Sequence, residues 1–366
     1  MMALQPAIYA SALSIFESTT NNSAVQAKKD LEVSSPPSDT VSCLRFSPAT
    51  ASSPNAYLAG SSWDNRVRVW EVASNGTSTP KAEQLHQGPV LSLCWSSDGT
   101  RIFSVGADKC AQMWDLASNQ FVQVGAHDAP IKTVHFISSP NYTCIMTGGW
   151  DKKLRFWDMR QATPMSSIDL NERVYCADVV YPAGVVGCAG RQIIVYTLEK
   201  GPEVAAQIES PLSYQNRCIA IFLDKQKQSP TGFALGSTEG RVAIQYFQPS
   251  APRDNFTFKC HRSPTAVNGY YEIFPVNDVA FHPLYGTLAT VGSDGRYAFW
   301  DKDARTKLRG LDNAEMPITT CTIDRSGNLF AYACGYDWFK GHEFADPSKP
   351  PKICIRQVLE EMKPSK

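Results

Sequence analysis

The residues best suited to chemistry are basic side chains interleaved with aromatic ones in the second half of the chain. Trp300-Asp301-Lys302-Asp303-Ala304-Arg305-Thr306-Lys307-Leu308-Arg309 carries four cations, and Phe256-Thr257-Phe258-Lys259-Cys260-His261-Arg262 lies upstream. From Arg241 to Gly310, nine Lys/Arg stand against six Asp/Glu, a local net of +3 in a chain whose formal charge is zero. Lys and Arg neutralise phosphates while an aromatic face takes a stacked base, the usual design for single-stranded nucleic acid. The plainer alternative is that Trp300 only holds its own sheet together and the charges form a solvated face.

A second set pairs large anchors with turns. Trp63 and Trp150 each precede a turn aspartate, Arg191 and Arg241 occupy matching turns, and Trp338 follows Asp337. Trp and Arg are favoured anchors of protein interfaces, so these residues mark a peptide or partner face. Packing over neighbouring loops is the competing explanation for each tryptophan.

Other chemistries lack their signatures. There is no phosphate-binding G-x-x-x-x-G-K-S/T, no H-E-x-x-H and no G-x-S-x-G. The eleven cysteines are odd in number and include no C-x-x-C, which fits buried free thiols in a reducing compartment. No metal, cofactor or enzymatic activity is therefore expected. No apolar run approaches the 18 residues of a membrane span. Met1 to Phe16 is apolar, but the first basic residue is Lys28, so a secretory leader is not expected.

The elements that must position these residues are repeats. β-rich runs end in an aromatic at Trp70, Trp114, Trp157, Tyr196, Tyr246 and Trp300, at spacings of 44, 43, 39, 50 and 54 residues. That is close to the ~40–45 residues of a WD repeat, stretched by insertions. Asp64, Asp108, Asp151 and Asp294 each stand six residues before one of these aromatics. His86 and His127 precede the second and third copies where a hydrogen-bond partner for the turn aspartate would sit. A structural role is expected for His86, Asp108, Trp114, His127, Asp151, Trp157 and Asp294, since no nucleophile has motif spacing to either histidine.

Alternating apolar openings such as Val279-Ala280-Phe281 complete seven copies near 41–72, 88–116, 129–160, 172–200, 214–248, 271–304 and 316–358. Seven four-stranded sheets that cannot each bury both faces pack radially, so an all-β, seven-bladed propeller spanning 30–366 is expected. The run 30–33 is expected to close the ring beside Ile353 to Val358, and residues 1–29 to form a disordered tail.

These residues carry a family resemblance. The chain resembles the nuclear-pore mRNA export factors of the RNA-export-one type, called GLFG-lethal-two in yeast, from about Lys29 to Pro364. Its most specific stretches are Asp254 to Arg262, Gly292-Ser293-Asp294-Gly295 through Leu308, and Tyr336-Asp337-Trp338-Phe339-Lys340-Gly341-His342-Glu343. The resemblance implies a non-enzymatic adaptor that clamps a GLEBS segment of a GLFG-repeat nucleoporin across the disc face and binds single-stranded RNA or ribonucleoprotein. It implies a nuclear and nuclear-pore location with shuttling to the cytoplasm, no membrane insertion, and a mitotic role at the spindle. The family's nucleic-acid groove, which a viral matrix protein can occupy, carries over onto Phe258, Trp300, Asp301, Lys302, Arg305 and Lys307, with Arg241 adjoining. The rival is the paralogous spindle-checkpoint propeller that carries GLEBS-containing kinases to kinetochores; it shares the Phe-Lys-Cys-His-Arg run and the Ile-Arg-Gln-Val ending. Against it stand Lys302 to Leu308 and Tyr336 to Glu343. The tail before Lys28 lacks the Phe-Gly dipeptides of some relatives.

Overall fold

Alternating β-branched and aromatic residues form seven antiparallel four-stranded sheets, each a blade of strands a to d from the axis outward. The computed structural model describes residues 30–48, 56–161, 163–224, 226, 228–266, 268–311 and 314–364. The expected tail, 1–29, lies outside the described residues. The architecture is the all-β, seven-bladed propeller read from the repeats. Among the described residues no helix is long and apolar enough to cross a membrane.

Blade 5 illustrates the plan, with strands Asn216–Leu223, Pro230–Ser237, Arg241–Tyr246 and Phe256–Lys259. Blade 6 follows with Val276–Phe281, Leu288–Gly292, Tyr297–Asp301 and Thr306–Leu311. Seven apolar clusters form the core, each straddling two neighbouring blades: Phe222 and Trp300 share one, Tyr297 and Phe330 another, Trp70 and Ile355 a third. Strand b is covered on both faces by adjacent blades, so Leu329–Cys334 is buried at every position, while the outer strand Glu203–Glu209 is almost wholly exposed. That is why the b strands read as apolar runs ending in small residues. At Gly148 a Cβ would come 2.8 Å from Val174 of the next blade, so only glycine lets that blade approach.

The last sheet is completed by the front of the chain. Leu31 pairs with Ile355 and Glu32 with Cys354, making Leu31–Glu32 the outer strand of blade 7. Arg356 binds Asp30 at 2.9 Å and Glu361 at 2.9 Å, and the Tyr332 hydroxyl donates to Asp30.

One irregularity recurs in all seven blades. Near its start, each a strand carries one residue more than its partner b strand. The extra residues are Ser42, Leu91, Lys132, Tyr175, Arg217, Asn277 and Thr319. A bulge re-aims the side chain it carries. Here all seven line one mouth of the axial channel.

Candidate interaction sites

Two sites emerge, on opposite faces of the disc. In each blade the b–c turns and d–a connections open on the face with the bulged mouth; the a–b and c–d turns open on the other.

The turn aspartates and histidines build the blades. His127 Nδ1 meets Asp151 at 2.9 Å, its Nε2 meets Thr147 Oγ1 at 2.8 Å, and the Trp157 indole donates to the same hydroxyl at 2.8 Å. Burial holds His127 below its usual pKa although Asp151 pulls the other way. In blade 2, His86 joins Asp108 and Ser104, both at 2.8 Å, while the Trp114 indole turns to Asn119 at 2.9 Å. Burial, the largest influence, would raise the Asp108 pKa, but the hydrogen bond and charge of His86 together with the amides of Cys110 and Gln87 outweigh it, and the carboxyl is held below its usual value. Blade 6 repeats the set with Asp294, His261, Thr290 and Trp300. The sequence reading did not assign His261 this part, though it stands in the same relation to Asp294.

That set corrects the expectation of a base stacked on Trp300. The residue is 8% exposed, its ring held by Thr290 and packed on Phe258 with centroids 4.7 Å apart. Phe258 is itself buried, so neither ring offers a face to a base. The Asp301 carboxylate accepts from the amides of Asp303 and Ala304, which shapes the c–d turn. Lys302 folds inward, its Nζ 4.6 Å from the Phe222 centroid and 2.5 Å from Asp303. Two expected cations do reach the surface. Arg305 lies with its guanidinium 4.3 Å over the half-buried Phe256 and donates to the Arg253 carbonyl, while Lys307 is exposed 5.9 Å from the Trp300 centroid. Arg253 and Arg309 are exposed on the same two blades, whereas the exposed Lys259 pairs in register with Arg241 toward the opposite face. The rim thus presents an arginine-capped aromatic and a row of cations in place of an open tryptophan.

Arg241 does not adjoin this groove. It starts strand c of blade 5 and pairs in register with Lys259, whereas Phe256 faces Ile244 near the far end. At ~3.4 Å per residue, five residues put Arg241 about 17 Å from Tyr246, on the other face.

On that face, Trp63 (44% exposed) and Trp150 (38%) stand at the axial mouth with Trp338 (47%). The three line a cavity of about 570 Å³ together with Lys132, Tyr175 and Arg217 of the bulge ring. Trp338 is placed by its neighbour Asp337, which accepts hydrogen bonds from Ser293 and Asn277 of blade 6. Arg191 and Arg241 share the face but not the cavity. Arg191 donates to the Ser210 carbonyl at 2.7 Å and pairs with Glu209, and Arg241 pairs with Glu239 at 3.4 Å. Lys132 and Arg217 were missed because the bulges that aim them leave no periodic mark in the sequence.

Residues 31–71, 80–115 and 119–158 match the model of the WD domain, G-beta repeat. The chain is 55% identical over 335 residues to Protein Rae1 of Drosophila melanogaster, covering 92% of this chain and 96% of the relative. It is 56% identical over 352 residues to the mRNA export factor of Danio rerio, covering 96% and 95%. The mRNA export factor of Mus musculus is 55% identical over 353 residues, again covering 96% and 95%. With more than half of its residues shared along nearly its whole length, the chain belongs to the Rae1 family of WD-repeat mRNA export factors.

Proposed function

We propose that this propeller is a non-enzymatic adaptor in mRNA export, joining a nucleoporin to RNA or ribonucleoprotein at the nuclear pore. The axial face takes the GLEBS segment of a GLFG-repeat nucleoporin, and the rim of blades 5 and 6 takes single-stranded RNA. The observation that carries the first half is the trio of exposed tryptophans around one mouth, since exposed Trp anchors are rare on a surface that meets only water. The second half rests on Arg305, Lys307 and their basic neighbours, with the Arg305 guanidinium as the plane against which a base stacks. A viral protein that mimics RNA would meet the same rim. The nuclear-envelope and shuttling location follows from the nucleoporin, and a spindle role would use the same peptide face for checkpoint kinases or spindle proteins.

The test is affinity purification from nuclear extract with the intact chain and with Trp63→Ala/Trp150→Ala. Recovery of a GLFG nucleoporin by the intact chain and its loss in the variant are expected. Equal recovery by both would remove the tryptophan mouth from the interface, and recovery of checkpoint kinases alone would overturn the pore assignment.

A further inference from the structure

The connection from blade 5 to blade 6 forms a small hairpin on the mouth face. Arg262 and Ile273 make an isolated antiparallel bridge. The Ser263 amide donates to the Glu272 carbonyl and the Phe274 amide to that of His261, both at 3.0 Å. Near the tip stand Tyr270 (80% exposed), Tyr271 (59%) and Ile273 (46%), an apolar group turned to solvent. The base leans on the loop that bears Trp338, where the Phe274 and Phe339 rings meet edge to face with centroids 6.1 Å apart. The hairpin therefore borders one wall of the tryptophan mouth.

Neither arm belongs to a sheet, and one side chain supplies much of what the missing ladder would. Ser263 Oγ accepts from the Glu272 amide at 3.0 Å and donates to the Thr265 carbonyl at 2.9 Å. Pro264 follows it, and Pro264, Thr265 and Glu272 are all exposed. Serine followed by proline on an accessible turn is the minimal mark that proline-directed protein kinases read.

We infer that Ser263 is a phosphorylation site for a proline-directed kinase, and that phosphate there opens the hairpin. The γ-phosphoryl group of ATP passes to Ser263 Oγ, the hydroxyl proton is lost and ADP departs. The ester oxygen then has no proton to give Thr265. The added charge, about −1.5 to −2, stands across the hairpin from the Glu272 carboxylate, and like charges placed opposite one another repel. The local arginines are committed elsewhere. Arg262 donates to the Glu239 carbonyl at 3.1 Å with its Nε buried, and Arg241 pairs with the Glu239 carboxylate at 3.4 Å. That opening weakens partner binding rests on the peptide reading of this face; the modification and the opening do not.

The test treats the full chain with a purified proline-directed kinase and magnesium-ATP, and locates phosphate by mass spectrometry. Phosphate is expected on Ser263, and not in Pro264→Ala, which keeps the hydroxyl. Exchange of the Ser263, Glu272 and Phe274 amides should quicken about 10-fold on phosphorylation, the net worth of roughly one hydrogen bond with the repulsion added. Glu272→Gln should restore part of that protection in the phosphorylated chain, a recovery that a purely steric effect does not give. A synthetic GLEBS segment should bind the phosphorylated chain about 10-fold more weakly. Ser263 left unmodified would overturn the site. Phosphate on Ser263 with the three amides unchanged would overturn the opening, and faster exchange with undiminished affinity would overturn its link to the mouth. Failure of the segment to bind the untreated chain would remove the peptide reading and leave the phosphorylation and exchange results to stand by themselves.

Discussion

The indole nitrogen of Trp300 donates to Thr290 Oγ1 at 3.0 Å, and the same hydroxyl lies 3.0 Å from His261 Nε2. The most conspicuous aromatic of the basic segment is thereby committed to the core between blades 5 and 6. Thr290→Val should cost about 1–3 kcal/mol, because it leaves a buried indole donor and an imidazole nitrogen unpaired. Chemical denaturation measures that loss. RNA affinity of the folded variant should not change; a parallel loss of RNA affinity would restore Trp300 to the nucleic-acid site.

The RNA surface is expected to be Arg305, Lys307 and Arg309. Changing all three to Gln should flatten the dependence of log K on log salt by about 2, from ~0.7 for each lost single-strand phosphate contact. Fluorescence anisotropy with a labelled oligoadenylate at several salt concentrations reads this directly. Lys302→Gln, whose ammonium is turned inward, should leave the slope where it was.

Ring closure depends on Arg356, which serves Asp30 and Glu361 at once. Arg356→Ala strands two half-buried carboxylates and should destabilise the protein by about 3–5 kcal/mol. Asp30→Asn should cost less, since Arg356 keeps Glu361. Thermal unfolding of the two variants should rank them in that order.

Acid should weaken the fold well before the carboxylates titrate. Burial lowers the pKa of His127 and His282, and burial with the nearby Arg45 charge brings His135 down to about 3. The unfolded chain takes up these protons near 6.5 while the native state refuses them, so stability falls as pH drops from about 7 through that value. Asp178, raised by burial, works the other way because the native state binds its proton first. Melting temperatures between about pH 7.5 and pH 5.5 should fall, and His127→Gln should fall less steeply than the parent.

Gly125 lies against the Trp157 ring, where a Cβ would sit 2.7 Å from ring carbons. Gly125→Ala should therefore cost about 1–3 kcal/mol by overpacking. A variant of unchanged stability would mean that the indole can shift despite its bond to Thr147.

The blades were legible because their markers are local. The aromatic closing strand c, the aspartate six residues before it and the partner histidine all follow from one hydrogen-bonded set, so residue type and spacing report it. Exposure was not legible. Trp63 and Trp300 are the same residue type beside similar turns, yet one stands at a mouth and the other in the core. The direction of Arg191 and Arg241 is set by Glu209 and Glu239, ordinary surface acids in the sequence. The bulge ring was invisible for another reason: its members share no chemistry, only an extra place in a ladder.

The pairing of Leu31 with Ile355 has a consequence for how the molecule comes into being. The strand that seals the circle leaves the ribosome before the other strands of the ring and waits for a partner more than three hundred residues later. Every nascent intermediate therefore displays a raw sheet edge, the kind of surface that chaperones shield and proteases sample. The axial mouth, drawn from all seven sheets, exists in no fragment of the ring. A partner that grips it thus selects molecules whose circle has closed, and binding itself becomes an inspection of the ring.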